Sequence, residues 1–184
     1  MGTPMTAGQT ITNLPGIPTS SGLIIPYQFV FADLDAGVQG VDVLYFADAN
    51  STTGGIQKYS LVSGTWVSNG TVSTGTFESY TGLAASVSGT TVTLYATNAS
   101  HPGTDVTGGE LVKLTDASGY NGTISGTPTL IASVDATKQK LFGVALAPAL
   151  PCVAPAAPTV TNISYTSADL SWLPVNGATT YEYA

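Results

Sequence analysis

A loose internal repeat constrains the fold of this chain more than any other feature. Residues 41–62 read VDVLYFADANSTTGGIQKYSLV, and residues 91–117 read TVTLYATNASHPGTDVTGGELVKLTDA. The Leu-Tyr pair at 44–45 aligns with the pair at 94–95, and the register then changes because the second copy has a longer loop between its matching segments. Structural repeats tolerate extra residues in loops. The chain is therefore predicted to contain one supersecondary unit twice.

Each copy has the pattern of four short strands. Ser, Thr, Gly and β-branched residues interrupt any helical periodicity, and 21 Gly and 11 Pro punctuate the chain. Lys58 and Lys113 stand at matching places in the third strand of each copy. A third unit is predicted to begin with one strand, KLFGVALAP. The predicted strands are YQFVFADLD, VDVLYFAD, GIQKYSLV and TWVSNGTV in the first copy, and ESYTGLAASVS, TVTLYATN, GELVKLTD and TPTLIASV in the second.

Units of four antiparallel strands with this period are typical of β-propeller blades. On DVLYFAD…GGIQKYSL…GTWV and VTLYATN…GGELVKLTD, residues 24–147 resemble secreted bacterial β-propeller repeat proteins. The resemblance implies blades at 24–74 and 75–136 and a partial blade at 137–147, after an extension at 1–23. A propeller ring needs about four to eight blades. We therefore expect a fragment of a longer propeller, or a homo-oligomer that completes the blade ring.

The C-terminal part of the chain has a different character. Residues 148–158 form a Pro/Ala linker, which is stiff and extended because proline fixes φ and lacks an N–H. Residues 159–184, TVTNISYTSADLSWLPVNGATTYEYA, resemble the start of a fibronectin type III domain, with Leu170 and Trp172 on its second strand. Such a sandwich has seven strands, so this segment is expected to be truncated. The predicted fold class is all-β: propeller-type four-stranded antiparallel blades followed by an incomplete β-sandwich.

Composition excludes two classes of partner. Only 8% of residues are charged, the net charge is −7 and the pI is about 4.1, so the chain lacks the basic footprint of a nucleic-acid binder. No apolar run approaches the ~18 residues of a membrane span, which excludes membrane insertion. The Thr-, Ser-, Asn- and Gly-rich composition favours a secreted or cell-surface protein. The single cysteine, Cys152, allows no intrachain disulfide.

The sequence carries little catalytic signal. His101 is the only histidine, with Asp105 four residues later and Glu110 beyond it. A nucleophilic triad would also need an activated Ser or Cys, and no G-x-S-x-G elbow is present. The sequence therefore favours a solvated loop role for His101 and predicts no catalytic residue. The alternative is an extracellular hydrolase of ester or glycan substrates that uses His101, Asp105 and Glu110.

Metal binding is also weakly signalled. One histidine and one distant cysteine argue against zinc, and no cofactor is expected. Calcium takes carboxylate, amide and carbonyl oxygens, so the alternative is a calcium site at Asp33, Asp35 and Asp42. The favoured interpretation is that these residues form turns.

Blade geometry predicts where a ligand would bind. In a propeller, the loop between the second and third strands and the loop that enters the next blade share one face, and loops on a rigid scaffold usually carry function. The predicted function is a non-catalytic binding or scaffolding segment of a secreted or cell-surface multidomain bacterial protein. Its predicted partner is a polysaccharide or an extracellular protein. The predicted ligand-binding residues on this face are Asp48, Asn50, Glu78, Tyr80, His101 and Asp105.

Overall fold

The structure is a computed structural model that describes residues 10, 12–19, 24–50, 52–73, 79–98, 109–134, 141–147 and 157–173. The chain divides into two compact units, Met1–Leu146 and Ala147–Ala184. All regular structure within the described ranges is β-strand. No helix capable of crossing a membrane is found among these residues. The predicted all-β class with antiparallel sheets is confirmed.

The first sheet is an antiparallel meander in the order β1-β2-β3-β4. The β3–β4 connection is the two-residue turn Ser63-Gly64, with φ of 50° and 81°. Positive φ at both positions matches the twist of a hairpin. The third strand has the bounds predicted from the sequence for GIQKYSLV. The strands are β1 (Pro26–Ala32), β2 (Val43–Asp48), β3 (Gly55–Val62) and β4 (Thr65–Val72).

The second sheet repeats this order as β5-β6-β7-β8. The prediction of four strands in each copy is therefore confirmed. The connections differ in length. Residues 33–42 join β1 to β2 where residues 89–90 join β5 to β6, and residues 117–128 join β7 to β8 where residues 63–64 join β3 to β4. The strands are β5 (Tyr80–Ser88), β6 (Thr91–Asn98), β7 (Glu110–Asp116) and β8 (Thr129–Ser133).

The two sheets stack face to face in a direction set by the repeat. We call the leading face of each sheet the side that carries Leu44 in β2 or its equivalent Leu94 in β6. The opposite side, which carries Tyr45 or Tyr95, is the trailing face. The leading face of the second sheet packs on the trailing face of the first, since Leu94 and Tyr45 belong to one buried core. Leu44 lies in a separate cluster on the outer side of the first sheet. Equivalent residues therefore point in the same direction along the stack.

Alternation along the strands places the apolar side chains in this core. Successive strand residues point to opposite faces, so β2 sends Val43, Tyr45 and Ala47 into the core. The second sheet contributes side chains from its central strands β6 and β7 and from β5. All of these residues are at most 3% exposed: Val43, Tyr45, Ala47, Ile56, Tyr80, Leu83, Val92, Leu94, Ala96, Val112 and Leu114.

The long β7–β8 connection returns across the first sheet. The backbone N–H of Ile124 donates to the carbonyl of Asn69 at 2.8 Å. The Ser60 hydroxyl donates to the carbonyl of Tyr120, and the Tyr120 hydroxyl donates to the carbonyl of Leu61. These bonds hold the connection against β3 and β4, and they tie the two sheets together at one end.

Residues 141–147 form no strand, so the strand predicted for a third unit is wrong over this range. The segment passes beside β5, where the Thr81 hydroxyl donates to the carbonyl of Leu141 at 3.4 Å. The Gln28 side chain bridges it to both sheets: Oε1 accepts from the N–H of Leu83 at 3.0 Å, and Nε2 donates to the carbonyl of Val144 at 3.3 Å. A strand requires a ladder of backbone hydrogen bonds, whereas the hydrogen bonds to Leu141 and Val144 described above come from side chains.

The C-terminal unit contains one antiparallel hairpin. It consists of β9 (Thr159–Thr161) and β10 (Asp169–Ser171), with Leu170 opposite Val160. Trp172 follows the second strand directly rather than lying in it. All residues of both strands are exposed.

Candidate functional site

The β2–β3 loop, predicted to bind a ligand, is held by its own polar side chains. Asp48 is fully buried, and its Oδ1 accepts from the N–H groups of Ile25 at 2.8 Å and Asn50 at 2.9 Å. Its Oδ2 accepts from the Gln57 amide. Oδ1 of Asn50 accepts from the N–H of Thr52 at 2.9 Å. Both side chains therefore satisfy backbone donors in a tight loop.

The β2–β3 loop lies beside the start of β5, because the Ser79 hydroxyl donates to the carbonyl of Ala49 at 3.1 Å. Tyr80 follows Ser79 and is fully buried in the core between the sheets. The structure thus brings Asp48, Asn50 and Tyr80 to one end of the sheets, with all three side chains buried.

The remaining predicted residues of this surface are Glu78, His101 and Asp105, which lie outside the described residues. Cys152 also lies outside them. Glu110, proposed in the hydrolase alternative, starts β7 and is half-buried opposite Asn98.

The three acids of the calcium alternative lie in the β1–β2 loop. Asp42 is fully buried, and its two carboxylate oxygens accept from the N–H groups of Leu34 at 2.9 Å and Asp35 at 2.6 Å. Oδ1 of Asp35 accepts from the N–H of Gly37 at 2.9 Å, and Asp33 is exposed. Among the described residues, no group of three His, Cys, Asp or Glu side chains could hold a metal ion.

A buried ion pair between the sheets was not predicted from the sequence. Nζ of Lys58 lies 3.0 Å from Oδ2 of Asp116, and neither side chain is exposed to solvent. Lys58 also donates to the Ser118 hydroxyl and the Gly119 carbonyl, each at 2.6 Å. The Tyr45 hydroxyl donates to the same carboxylate oxygen at 2.8 Å. Every donor of the ammonium group thus has a partner, which is the condition for burying a charge.

The protonation states of this cluster follow from its contacts. Burial alone would raise the pKa of the Asp116 carboxyl, but hydrogen bonds from Ser118, Tyr45 and Lys58 outweigh burial and hold this pKa below its usual value. Burial and the adjacent Asp116 charge raise the pKa of the Tyr45 hydroxyl far above its usual value. The carboxylate stays ionised and the phenol neutral at neutral pH, so the cluster is a locked ion pair rather than an acid–base device.

The leading face of the first sheet is rich in aromatic side chains. Phe31 packs against Trp66 with ring centroids 5.6 Å apart, and Phe46 stacks on Tyr59 at 5.6 Å. Phe29, beside Phe31 at 5.5 Å, is 61% exposed.

Residues 12–18 cross part of this face and leave a groove of about 470 Å³ between themselves and the sheet. The groove is lined by apolar side chains, including Leu14, Ile17, Ile24, Phe29, Leu44 and Phe46. The arrangement suits the burial of an apolar surface, since it brings no charged group to the groove.

The chain matches no protein-family model, no curated protein and no solved structure.

Proposed function

We propose that this chain is a non-catalytic binding or scaffolding segment of a secreted or cell-surface multidomain protein, built from propeller-type blades. Polysaccharide or an extracellular protein is the proposed partner. The hairpin of β9 and β10 would begin a fibronectin type III-like spacer.

One observation carries the proposal: two sheets with the same strand order stack so that Leu44 and Leu94 point in the same direction. Stacking with a constant direction leaves one leading and one trailing face that the other sheet does not cover, and further sheets would pack on these two faces. Blades around a propeller axis repeat in this way. Gln28, which joins β1, β5 and residues 141–147, lies where the first strands of successive blades would converge.

The buried acids favour binding or scaffolding over catalysis. The carboxylates of Asp42, Asp48 and Asp116 are each buried and occupied by two or more donors. A general acid or base must reach the substrate proton within hydrogen-bonding distance. These three carboxylates instead stabilise loops and the contact between the sheets.

The binding proposal is tested by probing the full chain against a glycan array and immobilised extracellular matrix proteins. We expect binding that weakens at least tenfold in Glu78→Gln and His101→Ala and is retained in Gln39→Ala. Gln39 is the matched control because it lies in the β1–β2 loop, at the other end of the sheets. We expect EGTA to leave binding unchanged, because backbone donors occupy both oxygens of Asp42. Loss of binding in EGTA would support calcium at Asp33, Asp35 and Asp42.

The hydrolase alternative is tested on the same samples with ester and glycan substrates. Turnover by the wild-type chain that disappears in His101→Ala would contradict a non-catalytic role.

A further inference from the structure

We propose that the leading face of the first sheet docks the trailing face of the second sheet of another copy of this chain, and that residues 12–18 cover this face in the isolated chain. The proposal rests on the directional stack described under the proposed function, but not on any ligand. It names a second copy as the partner.

The contact between the two sheets shows what a leading face binds. Leu94 and Ala96 are fully buried against the trailing face of the first sheet. Leu44 and Phe46 occupy the equivalent positions one repeat earlier, and Leu44 pairs with Tyr59 as Leu94 pairs with Leu114. The leading face of the first sheet thus offers apolar side chains at the same positions, with Phe46 larger than Ala96, and Phe29 at its edge is 61% exposed.

Residues 12–18, which we call the cover, form a short segment that is held at few points. The N–H of Trp66 donates to the carbonyl of Pro15 at 2.8 Å, and Leu14 and Ile17 pack on the cluster around Leu44. The segment leaves the groove of about 470 Å³ beneath it. The apolar side chains that line this groove lack dispersion contacts that a second sheet would supply.

Tyr45 and Lys58, on the trailing face of the first sheet, contact Asp116. The trailing face of the second sheet carries an equivalent Tyr–Lys pair. Tyr45 lies opposite Lys58 across β2 and β3, and Tyr95 lies opposite Lys113 across β6 and β7. Lys58 is buried in its ion pair, whereas Lys113 is exposed and forms no ion pair with any described residue.

An exposed acid, Asp33, directly follows β1 of the first sheet. The proposed contact would bring Asp33 near the sheet that carries Lys113, and opposite charges favour this pairing over leading face against leading face.

Gly16 provides a way to lift the cover. Its φ is +91°, and a Cβ there would lie 2.2 Å from the carbonyl oxygen of Trp66. Gly40 has a similar φ of +83° but nothing within 4 Å of the Cβ position, so Gly40→Val imposes comparable backbone strain without the clash. A second lifting variant, Leu14→Asp/Ile17→Asp, removes the apolar anchors.

The experiment measures Trp66 emission and solution mass of the full chain in a Trp172→Phe background, using fluorescence and sedimentation over a wide concentration range. At concentrations where the lifting variants are monomeric, we expect their emission to shift to the red. As concentration rises, we expect them to self-associate to at least twice the monomer mass, while Gly40→Val behaves as wild type at every concentration. Unshifted emission of both lifting variants as monomers would refute the cover. Shifted emission with a monomeric mass at the highest concentration would refute the docking face.

A further arm identifies the opposing surface. In the Gly16→Val background, Lys113→Glu is expected to weaken self-association at least tenfold. Thr53→Glu, in the exposed β2–β3 loop, is expected to leave it unchanged. Association that Lys113→Glu does not weaken would overturn the assignment of the second sheet as the partner. Binding on the glycan array does not enter these measurements, so the two proposals fail independently.

Discussion

Replacing Lys58 by methionine should destabilise the N-terminal unit more than any other lysine substitution at a described position. Lys58 and Asp116 are both fully buried, with Nζ and Oδ2 3.0 Å apart. Removing one member of a buried ion pair costs about 3–5 kcal/mol because the other charge stays buried without compensation. Asp116 would retain donors from Tyr45 and Ser118, so we expect a loss near the lower end, about 3 kcal/mol.

The repeat supplies the matched control. Lys113 is the equivalent lysine of the second sheet and is exposed, so Lys113→Met should change stability by no more than about 0.5 kcal/mol. Replacing both partners, as Lys58→Met/Asp116→Leu, removes the uncompensated charge and should recover part of the loss.

The free energy of unfolding is measured by urea denaturation, followed by Trp66 fluorescence in a Trp172→Phe background. Trp66 is buried in the first sheet and reports on this unit alone. If Lys58→Met and Lys113→Met differ by less than about 0.5 kcal/mol, the reasoning about the ion pair is wrong.

Three further predictions concern the buried polar groups. The folded-state pKa of Asp116 is lowered, so its stabilising contribution is present above the unfolded value of about 3.9 and lost as pH falls below it. The free energy of unfolding of Asp116→Asn should therefore fall less than that of the wild type between about pH 5 and 3. The folded-state pKa of Tyr45 is raised, so its stabilising contribution is present below the unfolded value of about 10 and lost above it. The free energy of unfolding of Tyr45→Phe, measured by circular dichroism, should therefore fall less at alkaline pH than that of the wild type. Asp42→Ala leaves the N–H groups of Leu34 and Asp35 without acceptors and should cost about 1–3 kcal/mol in urea denaturation; a cost equal to that of Gln39→Ala would show that Asp42 does not hold this loop.

The strands were predictable because their signals are local. The third strand, GIQKYSLV, begins at the second residue of a Gly-Gly pair and ends before Ser63-Gly64, and it is found as β3 at the predicted bounds, Gly55–Val62. Residues 12–18 gave no such signal, because Pro15 and Gly16 interrupt any alternation. Their place on the first sheet depends on a carbonyl meeting the N–H of Trp66, which is a tertiary contact.

The repeat could not predict that one of the two equivalent lysines is buried and the other exposed. Lys58 and Lys113 align in sequence and occupy matching strand positions. One is buried and the other exposed because only the first is followed in the stack by a sheet that carries Asp116. The sequence signal that could have indicated the buried Lys58 is the rarity of lysine in this chain. A lysine within an apolar strand is a candidate for a buried charge.

The β7–β8 connection also determines how the two sheets would respond to mechanical load. Ile124 and Tyr120 belong to one short stretch of chain, yet they are bonded to Asn69, Ser60 and Leu61 on neighbouring strands. A pulling force that shears the sheets apart would strain these bonds together rather than in sequence. The two sheets should then separate in a single rupture event.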